Sequence, residues 1–318
     1  MQKISFYVCD LSSHEILPSK MASLHLLRYT FIYSLLVCIS ITNVTSLAPG
    51  RFWDGLRTTF PHYAPVPRTT KEALSQGWTL ASTNCNNGGK FNGFRYIHKP
   101  NASFTESSIV PLYDVNGVIA GIQANFLASE AKADPTNTYK FDEIPMFMRN
   151  TIDGKNVYTL TSYFVDPAII CTKGRYMTDL NSDGTATTVS FQHGPNPSRT
   201  IKAPLERSVA ISAGWSNSAC FPGMGFHDWY QQEKFQDTKC DKMHPVYLLY
   251  GKDNKLVGFG WMAVGNFNSP RYEHHKGAVF KMVIGPSVSP CLVEKADTVG
   301  VTITHVMLIS NPDSQDCK

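Results

Sequence analysis

The chain has 318 residues, 42% hydrophobic and 12% aromatic, enough to bury a substantial core. Its 29 Lys+Arg against 25 Asp+Glu give a formal net charge of +4, scattered along the chain, which excludes nucleic acid as a partner. Neither of the common phosphate-cradling glycine loops occurs, so no nucleotide cofactor is expected.

Residues 1–46 read as a leader. Met1 to Lys20 is mixed in character, and from Met21 a segment carrying Arg28 leads into the apolar run Phe31 to Ile41. Val44 and Ser46 suit a signal-peptidase site, so cleavage is expected after Ser46, with translation beginning at Met1 or Met21. A membrane span needs about 20 apolar residues, and this run is shorter and followed by Asn43, Thr45 and Ser46. The expectation is therefore a secreted, extracellular protein without a membrane anchor.

Cys9 and Cys38 leave with the leader. Cys85, Cys171, Cys220, Cys240, Cys291 and Cys317 remain, and six cysteines in an exported chain predict three disulfides. Asn101-Ala102-Ser103 is the glycosylation acceptor of the mature part, because Pro197 blocks Asn196-Pro197-Ser198.

The mature chain carries an internal repeat. Gly77-Trp78 recurs as Gly214-Trp215 and Leu112-Tyr113 as Leu249-Tyr250, both pairs 137 positions apart. Cys85 then matches Cys220, and Gly93-Phe94 matches Gly225-Phe226; Val118 to Gly121 faces Leu256 to Phe259; Tyr158 to Thr161 resembles Val301 to Thr304; Pro167 with Cys171 matches Pro312 with Cys317. Two halves follow, 47–173 and 209–318, joined by a polar connector at 174–208. Shared places in the two copies select Cys85–Cys171 and Cys220–Cys317, and leave Cys240–Cys291 as the third bond.

Within each half the periodicity is that of strands. Ile109 to Tyr113 and Val118 to Ala124 flank Asp114-Val115-Asn116-Gly117, and Val246 to Tyr250 and Leu256 to Ala263 flank Gly251-Lys252-Asp253-Asn254. Met146 to Met148, Val157 to Val165, Thr187 to Gln192, Val279 to Ile284 and Val299 to Ile309 are further strand-like runs. Only Thr70 to Gln76 and Trp229 to Gln236 suggest short helices. The fold class is all-β, mainly antiparallel: two repeated halves as paired sandwiches or barrels. Asp179 to Gly184 fits the first half of a calcium loop, but Ser190 stands where the closing carboxylate belongs, which favours an ordinary turn.

The chemistry-bearing residues concentrate in the second half. Where the first has Gly93-Phe94-Arg95-Tyr96, the second has Gly225-Phe226-His227-Asp228. His227, oriented by Asp228 or Glu273, is the candidate base, with His244 as a further candidate. A transition-metal site of His227, His244 and His274 or His275 is the alternative, although neighbouring strand residues point to opposite faces. Trp215, Phe226, Trp229, Tyr230 and Trp261 are the candidate lining of a ligand pocket. A serine hydrolase is disfavoured because no Gly-x-Ser-x-Gly elbow occurs.

Two functions fit these residues. One is an oxidative enzyme without nucleotide cofactor, an oxygenase or luciferase-type protein acting on a small aromatic substrate. The other is a non-catalytic secreted protein that binds a small ligand, a glycan or a matrix partner. Convergence of the histidines on a pocket distinguishes them, and the sequence leaves the oligomeric state open.

Overall fold

In the computed structural model the described residues are 52–101, 104–235, 240–315 and 317. The expected leader and signal peptide, and Ala102 and Ser103 of the expected glycosylation triplet, lie outside them.

Runs of β-branched and aromatic residues build two antiparallel sheets, each hydrogen bonded through its neighbours. The described chain opens with β1 (Arg57–Thr58) and β2 (Ala64–Pro65). Nine strands follow: β3 (Trp78–Leu80), β4 (Phe94–Asn101), β5 (Phe104–Glu106), β6 (Ile109–Tyr113), β7 (Ile119–Leu127), β8 (Met148–Ile152), β9 (Lys155–Tyr163), β10 (Ser190–Gln192) and β11 (Thr200–Lys202). They form one sheet in the order β11-β10-β9-β7-β6-β4-β3, with β5 on β4 and β8 on β9. The remaining strands are β12 (Cys220–Phe221), β13 (Gly225–Trp229), β14 (Val246–Tyr250), β15 (Leu256–Val264), β16 (Glu273–His274) and β17 (Val301–Met307). These take β1 and β2 into the second sheet, ordered β12-β13-β14-β15-β17-β1-β2 with β16 on β17.

The hairpins set the register. Leu112 pairs with Gly121 across β6 and β7, and Leu249 with Gly258 across β14 and β15; each hairpin has an irregularity one residue further on. Gly117 and Asn254 take positive φ angles at the two turns, which Asn and Gly tolerate best. The sheets share one hydrophobic core, across which Phe164 and Phe191 of the first meet Phe259 of the second. The three disulfides are Cys85–Cys171, Cys220–Cys317 and Cys240–Cys291, the pairing expected from the sequence.

Among the described residues seven short α-helices decorate the sheets: α1 (Thr70–Ser75), α2 (Ala128–Ala131), α3 (Pro167–Ile170), α4 (Met177–Asp183), α5 (Arg207–Ser212), α6 (Gly277–Ile284) and α7 (Pro290–Thr298). Among the described residues no helix is long and apolar enough to cross a membrane. Three expectations need correcting. Val279 to Ile284 is not a strand but part of α6, burying Phe280, Val283 and Ile284 at helical spacing and exposing Lys281 and Met282. The calcium-like segment is neither loop nor turn but α4: the Asp179 carboxylate accepts from the Tyr176 amide at its start, and Gly184 caps its end. Trp229 ends β13 and Gln232–Phe235 beyond it forms a 3₁₀ helix, while Gln236 lies outside the described residues.

Candidate functional site

The second sheet carries a cavity on the face covered by α6. Trp229, Tyr247, Gly260 and His305 stand in one cross-strand row over β13, β14, β15 and β17, in register. Their side chains share a face, as does His227, two residues before Trp229. Gly260 is what allows the row to close up, because a Cβ there would meet the Tyr247 ring carbons at 2.0 Å. Tyr247 therefore lies across the glycine, with His227 stacked on it at 5.7 Å between centroids and His305 edge-on at 5.5 Å. Val279, Phe280 and Val283 of α6 form the roof, and Phe60, Phe221, Met224 and Ile303 fill the sides. The cavity volume is about 50 Å³.

Glu273 is the charged anchor. Its two carboxylate oxygens accept from His305 Nδ1 at 2.8 and 3.0 Å; Oε1 also accepts from the Phe60 amide at 2.8 Å, and Oε2 lies 3.3 Å from His275 Nε2. Burial pushes this carboxyl up, but His305 and the hydrogen bonds from His275, His305 and Phe60 outweigh it and bring the pKa down to about 2. With Nδ1–H held by the carboxylate, His305 presents Nε2 for chemistry, the arrangement of an oriented base.

His227 is 2% exposed and donates from Nδ1 to the Gly225 carbonyl at 3.2 Å. That bond fixes the neutral tautomer with the lone pair on Nε2, and Nε2 has no hydrogen-bond partner. Burial first, then the nearby His305, push its pKa down to about 3. It is thus a neutral acceptor at physiological pH and a poor base. Trp229 Nε1, two residues along the same strand, is likewise buried without a partner. His227 and Trp229 therefore both line one cavity, and each keeps a buried ring nitrogen without a partner, at a cost of about 1–3 kcal/mol.

Of the residues expected at the site, His227, Glu273, Trp229 and His275 meet there, and the others do not. Asp228 points to the opposite face of β13, where Arg207 holds it at 2.8 and 3.1 Å and the Ser218 amide at 3.0 Å. Phe226 lies on that face too, with the Arg207 guanidinium 3.7 Å over its ring. Trp215 packs on Phe191 and Tyr230, and Trp261 on Phe259, all in the shared core. His244 stands beside Tyr230 and His193, its pKa lowered to about 4 by burial and then by His193. His274 is exposed and contacts the Phe267 carbonyl at 3.0 Å, while Glu273 and His275 on either side turn inward. Strand alternation thus disperses the expected His227, His244 and His274 trio. Among the described residues no group of three His, Cys, Asp or Glu side chains is arranged to hold a metal ion.

His305 and Tyr247 complete the site without having been expected there. The available signal was a histidine inside the apolar run Val301 to Met307, where a polar residue with no short-range partner calls for an explanation. No protein-family model, curated protein or solved structure matches this chain.

Proposed function

We propose that this chain is a secreted enzyme that works without a nucleotide cofactor, taking a proton from a small aromatic substrate at His305 and letting the resulting anion react with molecular oxygen. The observation that carries this reading is His305, oriented by Glu273, on the wall of an apolar cavity that His227 and Trp229 also line. His305 Nε2 accepts the proton, and Glu273 stabilises the imidazolium formed. The substrate anion passes one electron to O₂; radical and superoxide join through a new carbon–oxygen bond; and the imidazolium returns its proton to the peroxide. The sum is substrate plus O₂ giving a hydroperoxide. Trp229 Nε1–H donates to the oxygen that becomes negative, and neutral His227 accepts from a donor on the substrate.

Size supports oxygen and constrains the substrate. An apolar cavity of roughly 150 Å³ is known to hold benzene, so about 50 Å³ takes O₂ and the reacting edge of a ring. Secretion is supported by three disulfides, which persist in oxidising compartments. We also read 47–173 and 209–318 as two copies of one β unit, supported by hairpins whose registers share the 137-residue offset.

The test is oxygen uptake and light emission by the purified protein with aromatic compounds that ionise to delocalised anions, such as hydroxyquinolones and imidazopyrazinones. Turnover lost in His305→Ala and reduced in Glu273→Gln is expected. Binding of such compounds without oxygen uptake would replace this reading by a non-catalytic carrier.

A further inference from the structure

The carboxylate that orients His305 is shared by a second imidazole. Glu273 pairs with Ile303 where β16 meets β17, and its side chain reaches His305 two positions further along that strand. Strand alternation sends His274 outward and returns His275 to the side of Glu273, where its Nε2 stands 3.3 Å from Oε2. Glu273 is ionised, with its pKa brought down to about 2, so it only accepts. The hydrogen in this contact therefore sits on His275 Nε2, as the other sits on His305 Nδ1.

These donors pin the carboxylate at both oxygens. Oε1 takes the Phe60 amide at 2.8 Å and Oε2 takes His275, while His305 Nδ1 lies 2.8 Å from one oxygen and 3.0 Å from the other. So even a contact needs the carboxylate plane held still, and the last torsion of a glutamate has broad wells that do not hold it. An anchor on Oε1 alone leaves the plane free to turn. His275 is the side-chain anchor, and it is the outermost of the three groups: its side chain is 27% exposed, against 5% for Glu273 and 4% for His305. It also stands edge-on to Phe280 of α6, at 6.5 Å between centroids. Without it, water would take over Oε2 and compete for the bond to His305.

We infer that His275 is a positioning residue: by donating to Glu273 Oε2 it fixes the carboxylate plane and, through it, the ring of His305 and the direction of Nε2, a role whose kinetic consequence rests on His305 being the base proposed above. The experiment is proton–nitrogen correlation NMR of the purified protein with labelled histidine, read beside oxygen uptake, for the unchanged protein, His275→Phe and His275→Gln. Glutamine places an amide N–H where the imidazole has Nε2–H. The His305 Nδ1–H signal should exchange with solvent about tenfold faster in His275→Phe and regain its original rate in His275→Gln. With an aromatic compound that is turned over, kcat should fall by about 10–100-fold in His275→Phe at unchanged KM, and His275→Gln should restore it. An unchanged exchange rate in His275→Phe, or no rescue by His275→Gln, would overturn the assignment. So would a neutral His275 with its hydrogen on Nδ1 in the unchanged protein, a result that needs no variant to fold. Exchange that responds as stated in a protein that consumes no oxygen supports the positioning role and removes the oxidation instead.

Discussion

The two sheets each hold a cross-strand row beside a hairpin and fill it in opposite ways. In the first, Val110, Gln123 and Thr161 stand in register across β6, β7 and β9, as Tyr247, Gly260 and His305 do across β14, β15 and β17. In the adjoining row Arg95 is opposite Leu112 and His227 is opposite Leu249. The first sheet fills the place with a polar chain: Arg95 donates to Gln123 at 2.9 Å, Gln123 to Thr161 at 2.9 Å, and Phe91 lies under the guanidinium at 4.0 Å. In the second, glycine replaces the long amide, a tyrosine ring lies across it, and two histidines flank a hollow. The lesson is that one backbone arrangement supports either a hydrogen-bonded polar chain or an apolar cavity flanked by histidines, and three or four side chains decide which.

Deleting the reactive member of each row gives the largest contrast. His305→Ala should lower turnover by about 10²–10⁴-fold, the usual worth of a positioned base, whereas Thr161→Ala should leave turnover unchanged and cost about 1 kcal/mol of stability. Steady-state oxygen uptake beside thermal melts decides this; equal losses in both variants would dissolve the contrast. Next comes Cys240–Cys291, which has no counterpart in the first sheet and closes a separation of 51 residues near α7. Cys240→Ser with Cys291→Ser should cost roughly 3 kcal/mol and raise hydrogen exchange in α6 and α7 more than in β6 and β7. Uniform exchange would show that the bond does not serve the cavity.

Gly260→Ala drives a methyl group into the Tyr247 ring, so a cost of about 1–3 kcal/mol and a collapsed cavity are expected, with oxygen uptake falling alongside. The smallest effect is pH dependence. His227 has its folded pKa lowered from 6.5 to about 3, so the stability held by its neutral form is full above pH 6.5 and drains as pH falls toward 3. Glu273, lowered from 4.5 to about 2, adds a loss that begins only below pH 4.5. His227→Gln should flatten the melting temperature between pH 6.5 and 4.5 specifically. An unchanged slope would place the acid sensitivity elsewhere, with His244 the next group to test.

Much of the architecture was legible because it rests on short-range patterns. Alternating apolar residues around Asn116-Gly117 and Gly251 to Asn254 define two hairpins, and matched cysteines select the disulfides. The candidate site was half legible. His227 stood out because it falls where the other half has Arg95, but Asp228 beside it was a poor choice of orienter, since adjacent strand residues face apart. Glu273 was named, yet its partner His305 lies in β17, brought alongside by pairing of β16 with β17 that no local pattern signals. The run Val279 to Ile284 suits either periodicity in so short a stretch, and packing over the cavity decides for helix. The core aromatics Trp215 and Trp261 were misassigned because composition does not show which side of a sheet is hollow.

The Phe60 amide meets the Glu273 carboxylate across 213 positions of sequence, and β1 beside it lies against β17. A ribosome adds about 5–20 residues per second, so the segment around Phe60 waits on the order of tens of seconds for the partners that seat it. Throughout that interval the nascent polypeptide has the material for its first sheet but not the carboxylate–imidazole pair. The Glu273–His305 pair therefore forms only when synthesis is nearly done, and any product truncated before residue 305 lacks it.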